Sequence, residues 1–305
     1  MTTNIALLFP GQGSQSVEMG KSLYETSEDT RNLFKKANQI LNKNFEEIIF
    51  NGPKETLTQT ENAQPAIFLV SVAMALELKK NNITPNIVAG HSLGEITAYH
   101  IAGCLDLESA LNLIKIRGEA MGQCPTPSGM AAVMGMDRST LESILDPYKD
   151  KPVVIANDNC PGQIVISGEK TALSEVITIL KEQRSKVIPL KVSGAFHSPL
   201  MNPASEAVQS FCETITFNKP HIPIVLNRTA QPETNSEKLK ENLSLQVISQ
   251  VKWTETIQTI ASQANKIIEC GPGKVLSGLW KKTNDTLQCN NTNDIELFIK
   301  EYKMK

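Results

Sequence analysis

The chain has 305 residues, 40% hydrophobic and 20% charged, with 30 Lys and Arg against 32 Asp and Glu. That is enough for one large domain or two smaller ones, and a net charge of −2 gives no electrostatic case for nucleic-acid or membrane binding. Six cysteines without C-x-x-C spacing, a start (Met1-Thr2-Thr3-Asn4) lacking the positive region of a signal peptide, and no apolar run of membrane-spanning length set the expectation of a cytoplasmic protein with reduced thiols.

Taken in order, Ile5-Ala6-Leu7-Leu8-Phe9 predicts a strand, followed by the loop Pro10-Gly11-Gln12-Gly13-Ser14-Gln15. Residues 64–80 predict a long apolar helix, 86–89 a second strand and 95–104 the next helix. Asp106 can cap a helix running to Met121. This βα alternation indicates a parallel sheet wrapped by helices. After the breaker-rich stretch 124–129 come strand 130–134, helix 139–145, strand 153–156, a turn at 158–162, strand 163–166, helix 170–185 and strand 187–192. That order is the split-βαβ, ferredoxin-like pattern. The expected architecture is α/β: a large subdomain from residues 1–125 and 198–305, with a small ferredoxin-like subdomain, 126–197, inserted into it. Asn86, His91 and His197 are expected near the seam, and the polar stretch 281–293 is expected to be loosely held.

Gly90-His91-Ser92-Leu93-Gly94 is a G-x-S-x-G pentapeptide between a predicted strand and a predicted helix, the setting of an α/β-hydrolase-like nucleophile elbow. The helix N-terminus beneath it offers unpaired N–H groups to a developing oxyanion, and the glycine-rich loop 11–15 can add another. Ser92 needs a base. His91 is its neighbour and diverges from it, His100 falls inside an apolar helix, and His221 reads as a strand-edge residue. His197 sits in a loop before a helix that Ser198 can cap, which favours it. No aspartate is spaced as a third triad member, and a backbone carbonyl can fix the imidazole tautomer instead. Arg117 shares a helical stripe with Ala110, Leu113, Ile114 and Met121. It reads equally as a structural ion pair or, one helix from a nucleophile, as a clamp for a substrate carboxylate. Neither Gly11-x-Gly13 nor Gly271-Pro272-Gly273-Lys274 completes a nucleotide-binding fingerprint.

Five motifs follow one another in the chain: Phe9 to Gln15, Gly90 to Glu95, Arg117-Gly118, Gly194 to Ser198, and Gly271 to Leu276. Together they resemble the malonyl-CoA:acyl carrier protein transacylases that load malonyl units for type II fatty acid synthesis, over residues 5–280. The resemblance implies a ping-pong transfer with Ser92 as nucleophile and His197 as base. It places the oxyanion on the N–H groups of Gln12 and Leu93, and the malonate carboxylate on Arg117. Aligned on Trp253, it makes Gln246 the residue whose carbonyl orients His197. It sets Phe196 and Met121 in the substrate pocket, with the bulk of Phe196 crowding an α-methyl branch. Gly194 stands where the related modular acyltransferases often have histidine, and Met121-Gly122-Gln123 departs from the more usual Met-Gln pair, leaving the place of Gln123 open. Neither a cofactor nor a metal is implied. The implied partners are malonyl-CoA and holo acyl carrier protein, engaged by a monomer, with Lys274, Lys281 and Lys282 as candidate docking residues. Rival readings are a free-standing acyltransferase of a polyketide pathway, a serine thioesterase or esterase, and a non-catalytic carrier-binding module.

Overall fold

A computed structural model describes residues 3–124, 127–148, 150–151, 153–192 and 194–304. Residues 125 and 126 of the breaker-rich stretch, Ser193, and the first two residues of the chain lie outside the described residues. The strands, in chain order, are β1 (Ile5–Phe9), β2 (Ile87–Gly90), β3 (Ser128–Met134), β4 (Val153–Cys160), β5 (Gln163–Glu169), β6 (Lys186–Pro189), β7 (Ile224–Val225), β8 (Pro232–Glu233), β9 (Val251–Lys252), β10 (Lys266–Glu269) and β11 (Cys289–Asn291).

The larger sheet has the order β11-β10-β1-β2-β7-β8, parallel except for the edge strand β8. Its strands are apolar on both faces because both faces are covered. In β1, Ile5, Leu7 and Phe9 join one core with the helices Glu28–Leu41, Thr60–Lys80, Leu93–Ile101 and Leu107–Gly122. Ala6 and Leu8 point the other way, toward Trp253, Ile257, Leu276 and Trp280. Helix Thr60–Lys80 is buried nearly all round, as its lack of a polar face requires.

The smaller sheet has the order β6-β3-β5-β4-β9. Its first four strands are antiparallel neighbours, and β9 joins β4 in parallel from the far side of the chain. One face, with Ala131, Val133, Ile164 and Ile166, packs on the helices Arg138–Leu145 and Lys170–Glu182. The other carries Met130, Ala132 and Val165 into the core of the larger sheet. The fold is therefore an α/β-hydrolase-like sheet with a ferredoxin-like insertion, and period-2 alternation delivers one face of the small sheet to the seam. Among the described residues no helix is long and apolar enough to cross a membrane.

Several elements differ from expectation. Helix 64–80 begins at Thr60, so Pro65 lies inside it and forfeits only one early hydrogen bond. Strand 153–156 continues to Cys160, with register shifts after Ile155 and Asp158. Bulges and the partner strand β9 keep Asn157-Asp158-Asn159 extended, although these residue types favour turns. Strand 187–192 ends at Pro189, leaving Leu190, Lys191 and Val192 to line the cavity described below. Asn86 is not at the seam: it precedes β2, at the opposite end of the sheet, where its Oδ1 accepts the Ile5 N–H at 2.8 Å. The polar stretch 281–293 supplies an edge strand, β11, paired with β10.

Candidate active site

β1 and β2 end side by side, Phe9 paired with Gly90, and the chain turns directly into helix Leu93–Ile101. The turn needs glycine: a Cβ at Gly94 would run into the carbonyl of Phe9, and one at Gly11 into that of His91. The loop after β1 thus lies against the elbow. Ser92 is held at φ 53°, ψ −106°, a strained conformation for an L-residue.

Every polar atom of Ser92 has a partner. Its N–H donates to Asn227 Oδ1 at 2.7 Å. Its carbonyl accepts from the Glu95 N–H at 3.1 Å and from Gln246 Nε2 at 2.9 Å. Its Oγ lies 2.8 Å from His197 Nε2 and accepts from Arg117 Nη2 at 2.9 Å. His197 is fixed in turn by its backbone N–H, which donates to Val247 O, and by Ser198, which caps the turn Pro199–Met201 ahead of helix Asn202–Cys212. Its Nδ1 lies 3.0 Å from the carbonyl of Gln246 and 3.1 Å from that of Ser249. Carbonyls only accept, so the proton sits on Nδ1 and Nε2 is free to accept from the Ser92 hydroxyl. Burial, reinforced by the charge of Arg117, pushes the imidazole down to about 3, so it is neutral at physiological pH.

Arg117 is 2% exposed. Its guanidinium donates to Gln64 Oε1 at 2.8 Å and to Gln246 Oε1 at 3.2 Å, besides Ser92, while Nε has no partner among the described residues. Burial lowers it to about 10, opposed by the charge of Glu95. No carboxylate touches it among the described residues, so a buried cation faces the Ser92 hydroxyl without a contacting counter-ion. Glu95 itself is wholly buried, and desolvation raises its carboxyl to about 7 against hydrogen bonds from Asn227, Asn242 and Gln246.

These groups open on a cavity of about 320 Å³. Gln12, Leu93, Met121 and Phe196 line it from the large-sheet side and the interdomain loop; Met130, Asn157 and Val165 line it from the small sheet. Leu93 opens its helix, so its N–H has no intrahelical acceptor. His91 joins the two halves, its Nε2 2.9 Å from Asn159 Oδ1 and its ring edge-on to Trp253, and burial lowers its pKa.

Ser92, His197, Arg117, Gln12, Leu93, Gln246, Phe196 and Met121 therefore meet at one cavity or in direct contact with its lining. His100 does not: its Nδ1 pairs with the Leu105 carbonyl. His221 packs beside Gly103, also away from the site. Gln123 is exposed as the C-cap of its helix, and Gln64 takes the position on Arg117 instead. Gly194 leaves little room, since a Cβ there would stand 3.0 Å from Cys124 Cβ. Gln64, Asn227 and Asn242 have no local signature. Glu95 has one, because Ser92-x-x-Glu95 is the spacing of a helix capping box.

The model of the acyl transferase domain family matches residues 6–299. The malonyl CoA-acyl carrier protein transacylase of Bacillus subtilis is 41% identical, over 99% of this chain and 98% of that protein. The chain belongs to this transacylase family. The acyl-carrier-protein S-malonyltransferase of Bartonella henselae superposes with a TM-score of 0.94 at 35% identity, covering 98% of this chain and 99% of the other. A malonyl-transacylase solved in complex with a type II PKS acyl-carrier protein superposes with a TM-score of 0.92 at 33% identity, covering 95% and 96%. Within the family fold, the elbow, the imidazole and the guanidinium fall on three different elements that only the tertiary structure brings together.

Proposed function

We propose that the protein transfers a malonyl group from malonyl-CoA to the phosphopantetheine thiol of an acyl carrier protein, through a malonyl ester on Ser92. The observation that carries this reading is Arg117, a buried guanidinium 2.9 Å from Ser92 Oγ with no contacting carboxylate among the described residues. A buried charge left without an anion costs several kcal/mol, and a malonyl ester on Oγ brings a carboxylate within its reach.

In the first half-reaction the Ser92 hydroxyl attacks the thioester carbonyl as its proton passes to His197 Nε2. The Gln12 and Leu93 N–H groups stabilise the oxyanion. As the C–S bond breaks, the CoA thiolate takes the proton from His197. In the second half the carrier thiol gives its proton to His197 and attacks the ester, and Ser92 leaves reprotonated. Gln246 positions His197 through its carbonyl, and its amide side chain bridges Arg117 and the Ser92 carbonyl. Phe196 and Met121 bound the acyl pocket. No step calls for a metal or a cofactor.

Three further readings accompany this one. The catalytic unit is divided at 1–125 with 198–305 against 126–197. The chain acts as a monomer in the cytoplasm, where its cysteines stay reduced. Carrier docking uses Lys281 and Lys282, exposed on helix Val275–Thr283, whose Val275, Leu276 and Leu279 line the cavity mouth. The relative solved with a type II PKS carrier supports a second acceptor, a polyketide carrier protein, for the same chemistry.

Intact-protein mass after incubation with malonyl-CoA and an acid quench tests the function. The expected result is a malonyl adduct absent from Ser92→Ala and discharged by holo carrier protein. Free malonate without an adduct would instead make the protein a hydrolase.

A further inference from the structure

We infer that Glu95, Asn227 and Asn242 form a positioning relay that holds Ser92 in its reactive pose by keeping a helix capping box from closing. The inference rests on acyl transfer through Ser92 and deepens it. Ser92 is the N-cap of helix Leu93–Ile101 and Glu95 its third residue. In a capping box the serine Oγ would accept the N–H of residue 95, and the glutamate would reach back to the N–H of residue 92. Neither bond is made.

The Glu95 N–H goes to the Ser92 carbonyl, and Ser92 Oγ is left to His197 and Arg117. The Ser92 N–H is taken by Asn227 Oδ1 at 2.7 Å. The same side chain donates its Nδ2 to the Gly90 carbonyl at 2.6 Å, so Asn227 grips the elbow on both sides of His91. The Glu95 carboxylate, displaced from its capping partner, accepts from the Asn227 backbone N–H and from Asn242 Nδ2 at 2.7 Å. Asn227 follows β7, and Asn242 belongs to helix Ser236–Gln246, so both come from sequence far from the elbow. A closed box would satisfy the same backbone donors locally, but it would turn Oγ onto the helix N-terminus and away from His197. With the capping done by Asn227, the hydroxyl stays available.

Rates of malonyl-serine formation decide the matter. Asn227→Ala removes the acceptor of the Ser92 N–H and should lower kcat by about 100-fold while KM for malonyl-CoA stays within about twofold. Glu95→Gln turns an amide N–H toward one of the donors that the carboxylate accepts from and should lower kcat by about tenfold. Glu95→Gln combined with Asn242→Asp exchanges carboxylate and amide across the same contact, and should restore kcat to within about threefold of wild type. The rescue keeps the test open should Asn227→Ala fail to fold. Variants that melt lower yet keep wild-type kcat, or a double variant no better than Glu95→Gln alone, would overturn the relay. A wild type that forms no malonyl-serine would defeat the functional reading alone. The same variants would then be compared by sulfonylation of Ser92 with phenylmethanesulfonyl fluoride, where the relay predicts the same order of rates and equal rates would overturn it.

Discussion

The elbow wall of the cavity and the wall supplied by the small sheet are held by different forces. On the elbow side, Ser92, Arg117, Glu95 and Gln246 are tied by hydrogen bonds to one another and to Asn227, Gln64 and Asn242, and a strained φ at Ser92 persists because its neighbours over-determine it. On the other side Met130 and Val165 present apolar surface, and the polar tie across the cavity is His91 to Asn159. That wall is fastened from outside the cavity, by the two-residue parallel pairing of β4 with β9 and by Arg138 reaching Asp158 and Gln250. Buried polar networks lose function sharply when one member is removed, whereas apolar walls accept changes of shape at modest cost. On this contrast, changes at the elbow should act on the chemistry and changes at the small sheet on the fit.

This contrast can be broken from either side. Gly94→Ala should have the largest effect: its Cβ collides with the Phe9 carbonyl, so either the elbow opens or the protein fails to fold, and acylation should fall by at least about 1000-fold. Circular dichroism and acylation rates on the same sample check this, and normal activity would mean that the elbow is not tightly built. Asn159→Ala, which cuts the polar tie on the small-sheet side, should cost less than about tenfold in kcat/KM, because the apolar contacts remain. A loss as large as that from Asn227→Ala would erase the distinction between the walls. Phe196→Ala should keep malonyl transfer and relax discrimination against a methyl-branched substrate by about tenfold, read from paired kcat/KM values.

The elbow also has a signature in pH. His197 is held near 3 when folded, against about 6.5 when unfolded, so the unfolded chain binds more protons between those values. Its contribution to stability is present above about pH 6.5 and is lost as pH falls toward 3. Relative to His197→Gln, the wild type should lose about 1.4 kcal/mol per pH unit within that window. Urea unfolding of both proteins at neutral and acidic pH measures the difference, and parallel curves would mean that the imidazole is not desolvated.

What was legible in the sequence follows the reach of each interaction. The elbow could be read because strand, glycine turn and helix are contiguous, and a Cβ at Gly90 would already meet Gly94, although the clash of Gly94 with the Phe9 carbonyl comes from the neighbouring strand. Arg117 stood out because a charged residue on an apolar helical stripe is itself a local anomaly. The small subdomain could be read from element order alone, although the turn expected at 158–162 begins only after Cys160, because bulges and pairing with β9 keep the chain extended to that point. Asn227 and Asn242 gave no signal, since their value lies in contacts with residues more than a hundred positions away. Asn86 misled for the complementary reason: a polar residue at a strand end marks either end of a sheet, and here it was the wrong one.

We propose that Arg117, a buried guanidinium with no contacting carboxylate among the described residues, is what fits the elbow to malonyl groups. The most direct measurement is a competition between malonyl-CoA and acetyl-CoA for Ser92, resolved by mass, in wild type and Arg117→Ala. If Arg117 recognises the malonate carboxylate, wild type should load malonyl in large excess, and the variant should lose malonyl loading by about 100-fold or more while acetyl loading falls much less. Equal losses for the two acyl groups would contradict it, reducing Arg117 to a brace for Ser92 without a role in recognising the substrate.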